Sequence, residues 1–140
     1  MLFRSGVRKL DFDLQLAIRC VDAFSQASGL GCALKQSDGQ ILHTAGHSCV
    51  QCKMCELAGK EGNVCRATQQ YGMQSAERFG GKYIYFCSMG LTCFTSPILG
   101  PHGSVAQLIV GPFMMVDLAD YIAYDLIERS EEHTSELQSR

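Results

Sequence analysis

The sequence lacks the features that mark several classes of protein, beginning with a basic surface. Its 140 residues carry 12 Lys and Arg against 14 Asp and Glu, which gives a net charge of −2. A nucleic-acid-binding domain normally clusters an excess of Lys and Arg on one face. This charge balance therefore argues against direct contact with nucleic acid.

Long apolar segments and targeting signals are also missing. The longest apolar run, around residues 105–116, is interrupted by Gln107, Gly111 and Pro112 and is too short to cross a bilayer. Residues 1–10 contain neither the apolar stretch nor the small-residue cleavage site of a secretory signal peptide. We therefore expect a cytoplasmic protein that does not contact a membrane.

The sequence shows no motif of a hydrolytic enzyme. It has no nucleophile elbow, no phosphate-binding loop and no His-Glu motif of a metal hydrolase. A thiol enzyme that pairs Cys87 with a histidine base is one alternative, but no histidine lies near Cys87 in the sequence. We therefore expect that the chain is not an enzyme.

What the sequence does contain is an unusual number of cysteines, eight in all. Their spacing is not that of a secreted disulfide framework, and a cytoplasmic location would keep them reduced. Spacings of two residues between neighbouring cysteines are typical of iron–sulfur and zinc ligation, and the candidate metal ligands are Cys49, Cys52, Cys55, Cys65 and Cys87. Three interpretations stay open: a cluster or zinc ion, the lining of an organic-ligand pocket, or buried thiols without a function.

The hydrophobic periodicity predicts a helix, two strands, further helices, three strands and a closing helix. The predicted elements cover residues 14–28, 31–35, 40–43, 61–79, 82–87, 94–99, 104–111 and 117–128. The strand at 104–111 is apolar on both faces, which is typical of a central strand. This order predicts an α+β fold with an antiparallel sheet of about five strands and flanking helices, the plan of PAS and GAF sensor domains.

Two predicted helices carry specific expectations about their apolar positions. In the helix at 61–79, Val64, Ala67, Tyr71 and Phe79 are expected to face the sheet. The helix that begins at Asp117 has two adjacent apolar stripes, one of them formed by Leu118, Ile122 and Leu126.

The candidate ligand site lies around residues 87–91, which follow an aromatic strand and precede an apolar one. The side chains that could form an apolar cup are Tyr83, Tyr85, Phe86, Met89, Leu91 and Phe94, with Thr95, Ser96 and Gln107 as polar groups. Gly90 is expected to permit a turn or a close backbone approach. The alternative is that the apolar residues simply pack the core.

Several spaced phrases resemble the PocR sensory domain. They are VDAFSQASGL at 21–30, SDG at 37–39, Cys52 and Cys65 with Gly62 between them, CSMGL at 87–91, SPI at 96–98 and VGP at 110–112. The resemblance covers about residues 10–116. The chain departs from the family pattern in having Thr92 and Cys93 after the Gly-Leu phrase, and in the additional cysteines Cys49, Cys55 and Cys93.

The resemblance implies a variant PAS-like fold that binds a small organic molecule, such as an alcohol or diol, and controls an attached output module. Members occur in bacterial AraC-type transcription regulators and histidine kinases. The resemblance and the cup together give the candidate ligand-binding residues Cys52, Cys65, Tyr85, Cys87, Met89, Gly90, Leu91, Phe94 and Ser96. The alternatives are a metal or iron–sulfur redox sensor and a thiol enzyme.

The chain is expected to divide into three parts. Residues 1–116 form the sensory domain, and residues 117–128 begin an output-connector helix that packs on the sheet and on a partner helix in a homodimer. Residues 129–140 resemble the in-frame translation of a sequencing adapter and are expected to be an artefact. The natural protein is then expected to continue past Glu128 into an effector domain.

Overall fold

The computed structural model describes residues 12–60 and 63–129. Residues 1–11, Gly62 and residues 130–140, which enter the expectations above, lie outside the described residues. The elements in chain order are α1 (Leu14–Ser28), β1 (Cys32–Gln36), β2 (Ile41–Ala45), α2 (Met54–Leu57), α3 (Asn63–Arg78), β3 (Tyr83–Phe86), β4 (Thr92–Gly100), β5 (Gly103–Phe113), α4 (Leu118–Asp120) and a π-helical segment (Tyr121–Leu126).

The strands form one antiparallel sheet in the order β2-β1-β5-β4-β3. β5 lies at its centre, so its predicted central position is confirmed. The prediction of an α+β fold with a five-stranded antiparallel sheet and flanking helices is also confirmed.

Helix α1 covers one face of this sheet. Its N-terminus is capped by Asp13, whose Oδ1 accepts a hydrogen bond from the Leu16 amide at 3.1 Å. Its buried residue Val21 packs against Cys32 of β1 and Val110 of β5. Because side chains alternate along a strand, the residues that share this side, here called the α1 face, are Cys32, Leu34, Phe94, Ser96, Leu108 and Val110.

Helix α3 covers the opposite side of the sheet. The Gln107 side chain donates to the Gln69 carbonyl of α3 at 3.1 Å and to Thr95 Oγ1 at 3.0 Å. A Cβ atom on Gly72 would lie 2.7 Å from the Tyr85 ring, so glycine allows the helix to approach the sheet at this point. The residues on this side, here called the α3 face, are Ala33, Lys35, Tyr85, Cys93, Thr95, Gln107 and Ile109.

The side of α3 that faces the sheet differs from the prediction. Tyr71 and Phe79 are 56% and 65% exposed, and Ala67 is also exposed. Both aromatic rings instead contact Tyr83 at the sheet edge. The buried side chains of the helix include Gln69, Ser75 and Ala76. Apolar periodicity failed here because the strands that α3 covers present polar side chains.

The closing helical segment begins as predicted but buries a different residue. Asp117 caps it, since its Oδ1 accepts a hydrogen bond from the Asp120 amide at 2.9 Å. Leu118 is 59% exposed and Ile122 is also exposed, whereas Tyr121 is only 3% exposed. Hydrogen bonds in a π-helix join residues five apart, so the α-helical spacing used for the prediction does not apply to residues 121–126. No helix in the described part of the chain is long and apolar enough to cross a membrane.

Candidate functional site

The α3 face carries a buried layer of polar side chains. Lys35 Nζ donates to Gln69 Oε1 at 2.8 Å, and Gln69 Nε2 donates to the Cys65 sulfur at 3.1 Å. Lys35, Gln69, Thr95 and Gln107 are all buried. Burial of polar groups costs free energy unless they are hydrogen-bonded, so apolar side chains would pack this face at a lower cost. The layer is therefore the first candidate for a binding site.

The Tyr85 hydroxyl is buried in this layer beside the Cys93 thiol. Tyr85 is 6% exposed, and its hydroxyl makes no hydrogen bond of normal geometry within the described residues. Burial is the main cause that raises its pKa, and the Cys93 thiol, directly opposite on β4, adds to this shift. The Ser75 hydroxyl of α3 is likewise buried and unpartnered among the described residues. A buried hydroxyl left unpaired costs roughly 1–3 kcal/mol, which a molecule that hydrogen-bonds to it would offset.

Several cysteines lie near one another beside this layer. Burial, then the Cys65 thiol, raises the pKa of Cys49 to about 11, and Lys35 opposes this shift. Burial, then Cys55, raises the pKa of Cys65, and Cys87 and Cys52 add to it. Burial also raises the pKa of the Cys87 thiol, with smaller effects of Cys55 and Cys52. Of the three cysteines that resemble the family pattern, Cys52 and Cys87 therefore lie close enough to Cys65 to raise its pKa.

The thiols do not form a metal-binding geometry. Within residues 12–60 and 63–129, no group of three or more His, Cys, Asp or Glu side chains is placed to hold a metal ion. The Cys65 sulfur instead accepts a hydrogen bond from Gln69, and the Cys55 sulfur lies 3.2 Å from the Ser88 hydroxyl. In this arrangement the donors do not fit a zinc ion or an iron–sulfur cluster, whose ligands converge at bond distance.

The turn at residues 87–91 connects β3 to β4 and is closed by backbone hydrogen bonds. The Cys87 amide donates to the Leu91 carbonyl and the Gly90 amide donates to the Cys87 carbonyl, both at 2.9 Å. Gly90 has φ +79°, a left-handed conformation that favours glycine, as expected from the sequence. Met89 and Leu91 are buried. The buried Tyr121 hydroxyl donates to the Met89 carbonyl at 2.7 Å, which joins this turn to the closing helical segment.

The sheet separates two predicted ligand residues from the others. Phe94 lies on the α1 face, with its ring 6.4 Å from that of Phe24. Ser96 pairs with Leu108 and donates to the Gly81 carbonyl at 2.9 Å. Tyr85, Cys65 and Cys87 lie instead near the α3 face, and Cys52 is exposed beside them. The structure therefore assembles only part of the predicted ligand set, and the role of each member stays a prediction.

Three residues of this region were not predicted as functional, namely Lys35, Gln69 and Tyr121. A signal existed for Lys35, because a charged residue follows directly after the apolar run Cys32, Ala33 and Leu34 in a predicted strand. Burial of Gln69 and Tyr121 depends on how helices pack, which no local pattern reports.

Comparison with known proteins gives one family and several distant structures. A family model described as the sensory domain found in PocR matches residues 12–138. No curated protein matches the chain. A sensory box sensor histidine kinase from Vibrio cholerae is 10% identical, with a TM-score of 0.39 over 73% of this chain and 96% of that chain. A PobR transcription factor inducer-binding domain from Acinetobacter, a double mutant in complex with 3-hydroxybenzoic acid, is 11% identical, with a TM-score of 0.39 over 86% of this chain and 97% of that chain. These two likenesses carry no argument about function.

Proposed function

Because this chain belongs to the family of the sensory domain found in PocR, we propose that it is a small-molecule-sensing regulatory domain of a bacterial signalling protein. The output module would be that of an AraC-type transcription regulator or a histidine kinase. The single observation that carries the binding role is the Tyr85 hydroxyl on the α3 face, which is buried and makes no hydrogen bond of normal geometry within the described residues.

The ligand we propose is a small alcohol or diol. Its hydroxyl groups can both donate and accept, so they would pair with the Tyr85 hydroxyl, which has no partner among the described residues. Its short carbon chain would contact apolar groups such as Ala33 and Ile109, which are completely buried on the same face. An apolar lining with a few directed polar groups is typical of small-molecule sites.

The same proposal assigns the signal path to the closing helical segment. The hydrogen bond from Tyr121 to Met89 links the turn at 87–91, which carries predicted ligand residues, to residues 121–126. A π-helical turn often occurs at functional positions. A ligand shifts this segment only by its difference in affinity between two states, typically about 1–3 kcal/mol. We therefore propose that residues 117–128 form the output connector.

The test is calorimetric titration of the full chain with 1,2-propanediol and 1-propanol. Wild-type protein is expected to bind at least one of them, and Tyr85→Phe to bind it about tenfold more weakly, as the loss of one hydrogen bond predicts. Tyr83→Phe is the matched control, since it removes the same group from the same strand at a more exposed position. Equal affinity of the wild type and Tyr85→Phe, or no binding of either compound, would contradict the proposal.

A further inference from the structure

A cleft of about 360 Å³ lies between helix α3 and the end of β1 with its following turn. The helix contributes Arg66, Gln70 and Glu77, the strand and turn contribute Lys35 and Asp38, and Gln107 also lines the cleft. The helical residues recur at spacings of four and seven, which places them on one side of α3. This volume is within the range of roughly 300–1,000 Å³ that small-molecule sites occupy.

Lys35 is the one charged residue of this cleft that is buried, with 8% of its surface exposed. Within the described residues its ammonium group donates to the neutral amide of Gln69. An ion pair between His43 and Asp22 lies outside the cleft. A buried cation is costly unless an anion compensates it, and a methionine could fill the same space without that cost. The presence of a buried lysine here therefore points to an anionic partner.

The other charged side chains of the cleft are compatible with an anionic ligand beside Lys35. Arg66 supplies a second cation, whereas Asp38 and Glu77 supply acidic groups, and all three side chains are exposed. Glu77 follows Arg66 by eleven residues, which corresponds to about 16 Å along a helix. Water and salt screen exposed charges far more than buried ones. The potential at the buried end of the cleft is therefore set mainly by Lys35.

We propose that this cleft is a second binding site and that it takes a small organic carboxylate, whose charged group pairs with the Lys35 ammonium. The Gln70 amide and the side-chain oxygen of Gln107, whose amide hydrogens already bond to Gln69 and Thr95, are placed to contact polar groups on the remainder of the molecule. Gln69 joins this site to the thiols, because the side chain that accepts from Lys35 also donates to Cys65. A carboxylate that draws Lys35 away from Gln69 would therefore alter the surroundings of Cys65.

The experiment uses two pairs of probes that differ in charge but share a carbon skeleton. Lactate is compared with 1,2-propanediol, and propionate with 1-propanol, by calorimetric titration of the full chain at constant ionic strength. Wild-type protein is expected to bind at least one of the two carboxylates. Lys35→Met is expected to weaken that binding at least about tenfold, as loss of a charged hydrogen bond predicts.

Matched variants separate a local effect of Lys35 from a general effect of charge. Lys82→Met removes an exposed lysine outside the cleft and is expected to change nothing. Arg66→Gln is expected to weaken carboxylate binding by about two- to threefold, and Glu77→Gln to strengthen it by a similar factor, because exposed charges have small effects. If Lys35→Met does not fold, Arg66→Gln and Glu77→Gln still test the proposal.

The outcomes distinguish this site from the proposed alcohol site. Loss of carboxylate binding in Lys35→Met with retention in Tyr85→Phe supports a separate site. Diol binding without carboxylate binding to the wild type overturns the second site and leaves the proposed function standing. Carboxylate binding that is equal in the wild type, Lys35→Met and Arg66→Gln also overturns it.

Discussion

The two faces of the sheet use the same strands for different purposes. On the α1 face, Val21 packs against Cys32 and Val110, with Leu108 and Phe94 beside them. On the α3 face, the side chains of Lys35, Gln107 and Thr95 form hydrogen bonds to α3 or to each other. The first arrangement buries apolar surface and stabilises the fold, whereas the second requires hydrogen bonds to offset the cost of burying polar groups. The comparison supports our proposal that the α1 face provides stability and the α3 face provides binding.

The largest expected effect is on the α1 face. Leu34 is completely buried there, so Leu34→Ala should lower the free energy of unfolding by about 2–5 kcal/mol, the usual cost of such a cavity. Its neighbour Lys35 on the other face provides the contrast, because Lys35→Met keeps the space filled and should cost at most about 1–3 kcal/mol, the penalty for leaving Gln69 Oε1 without its donor. Denaturant unfolding of both variants measures the difference. A larger loss of stability in Lys35→Met than in Leu34→Ala would contradict the division between the faces.

A second expected effect is a loss of stability at alkaline pH that arises near the α3 face. Burial raises the pKa of Cys49 to about 11 and that of Cys93 to about 12, from an ordinary value of 9.0. The folded state then holds these protons more tightly than the unfolded chain. The stabilisation is complete below about pH 9 and is lost as the pH rises towards 11 and 12.

Unfolding measured between pH 8 and 11 tests this expectation. Cys49→Ala should flatten the decline, whereas Cys20→Ala, at an exposed cysteine, is the matched control. A profile that is identical in the wild type and Cys49→Ala would show that this thiol does not titrate as the structure implies.

A smaller effect is expected where the turn at residues 87–91 meets the closing helical segment. Tyr121→Phe removes the hydrogen bond to the Met89 carbonyl and should cost about 0.5–1.5 kcal/mol of unfolding free energy. The variant should also reduce the response of a grafted output module to 1,2-propanediol while ligand affinity changes little. Tyr124→Phe, at an exposed position of the same segment, is the control. An unchanged output response in Tyr121→Phe would remove this contact from the signal path.

The smallest effect on stability is expected for the residue that carries the binding proposal. Tyr85→Phe removes a buried hydroxyl that has no partner among the described residues, so thermal unfolding should show no loss of stability and up to about 1 kcal/mol of gain. A clear loss of stability would indicate that the hydroxyl already has a structural partner, and the α3 face would lose its main argument for binding.

Much of the fold could be predicted from the sequence because its signals are local. Asp117 caps the helical segment that it was expected to open, Gly90 adopts the left-handed turn, and β5 is central. The family resemblance, which depends on spaced phrases rather than on one motif, is confirmed.

The division of the site between two faces could not be predicted in the same way. Tyr85 and Phe94 flank one turn and are both aromatic, yet Tyr85 pairs with Cys93, so that Phe94 lies on the opposite face. This register depends on the length of the turn between β3 and β4, which the apolar pattern does not specify. The burial of Lys35 follows from its contact with α3, a long-range packing event.

Methyl NMR during titration with 1,2-propanediol and lactate tests directly whether ligands bind on the α3 face. The sheet supplies matched buried probes, with Ala33, Thr95 and Ile109 on the α3 face and Leu34 and Val110 on the α1 face. We expect the first group to shift and the second to change little, with Thr95 and Ile109 responding to the diol. Shifts confined to Leu34 and Val110, or no shift on either face with both compounds, would contradict it.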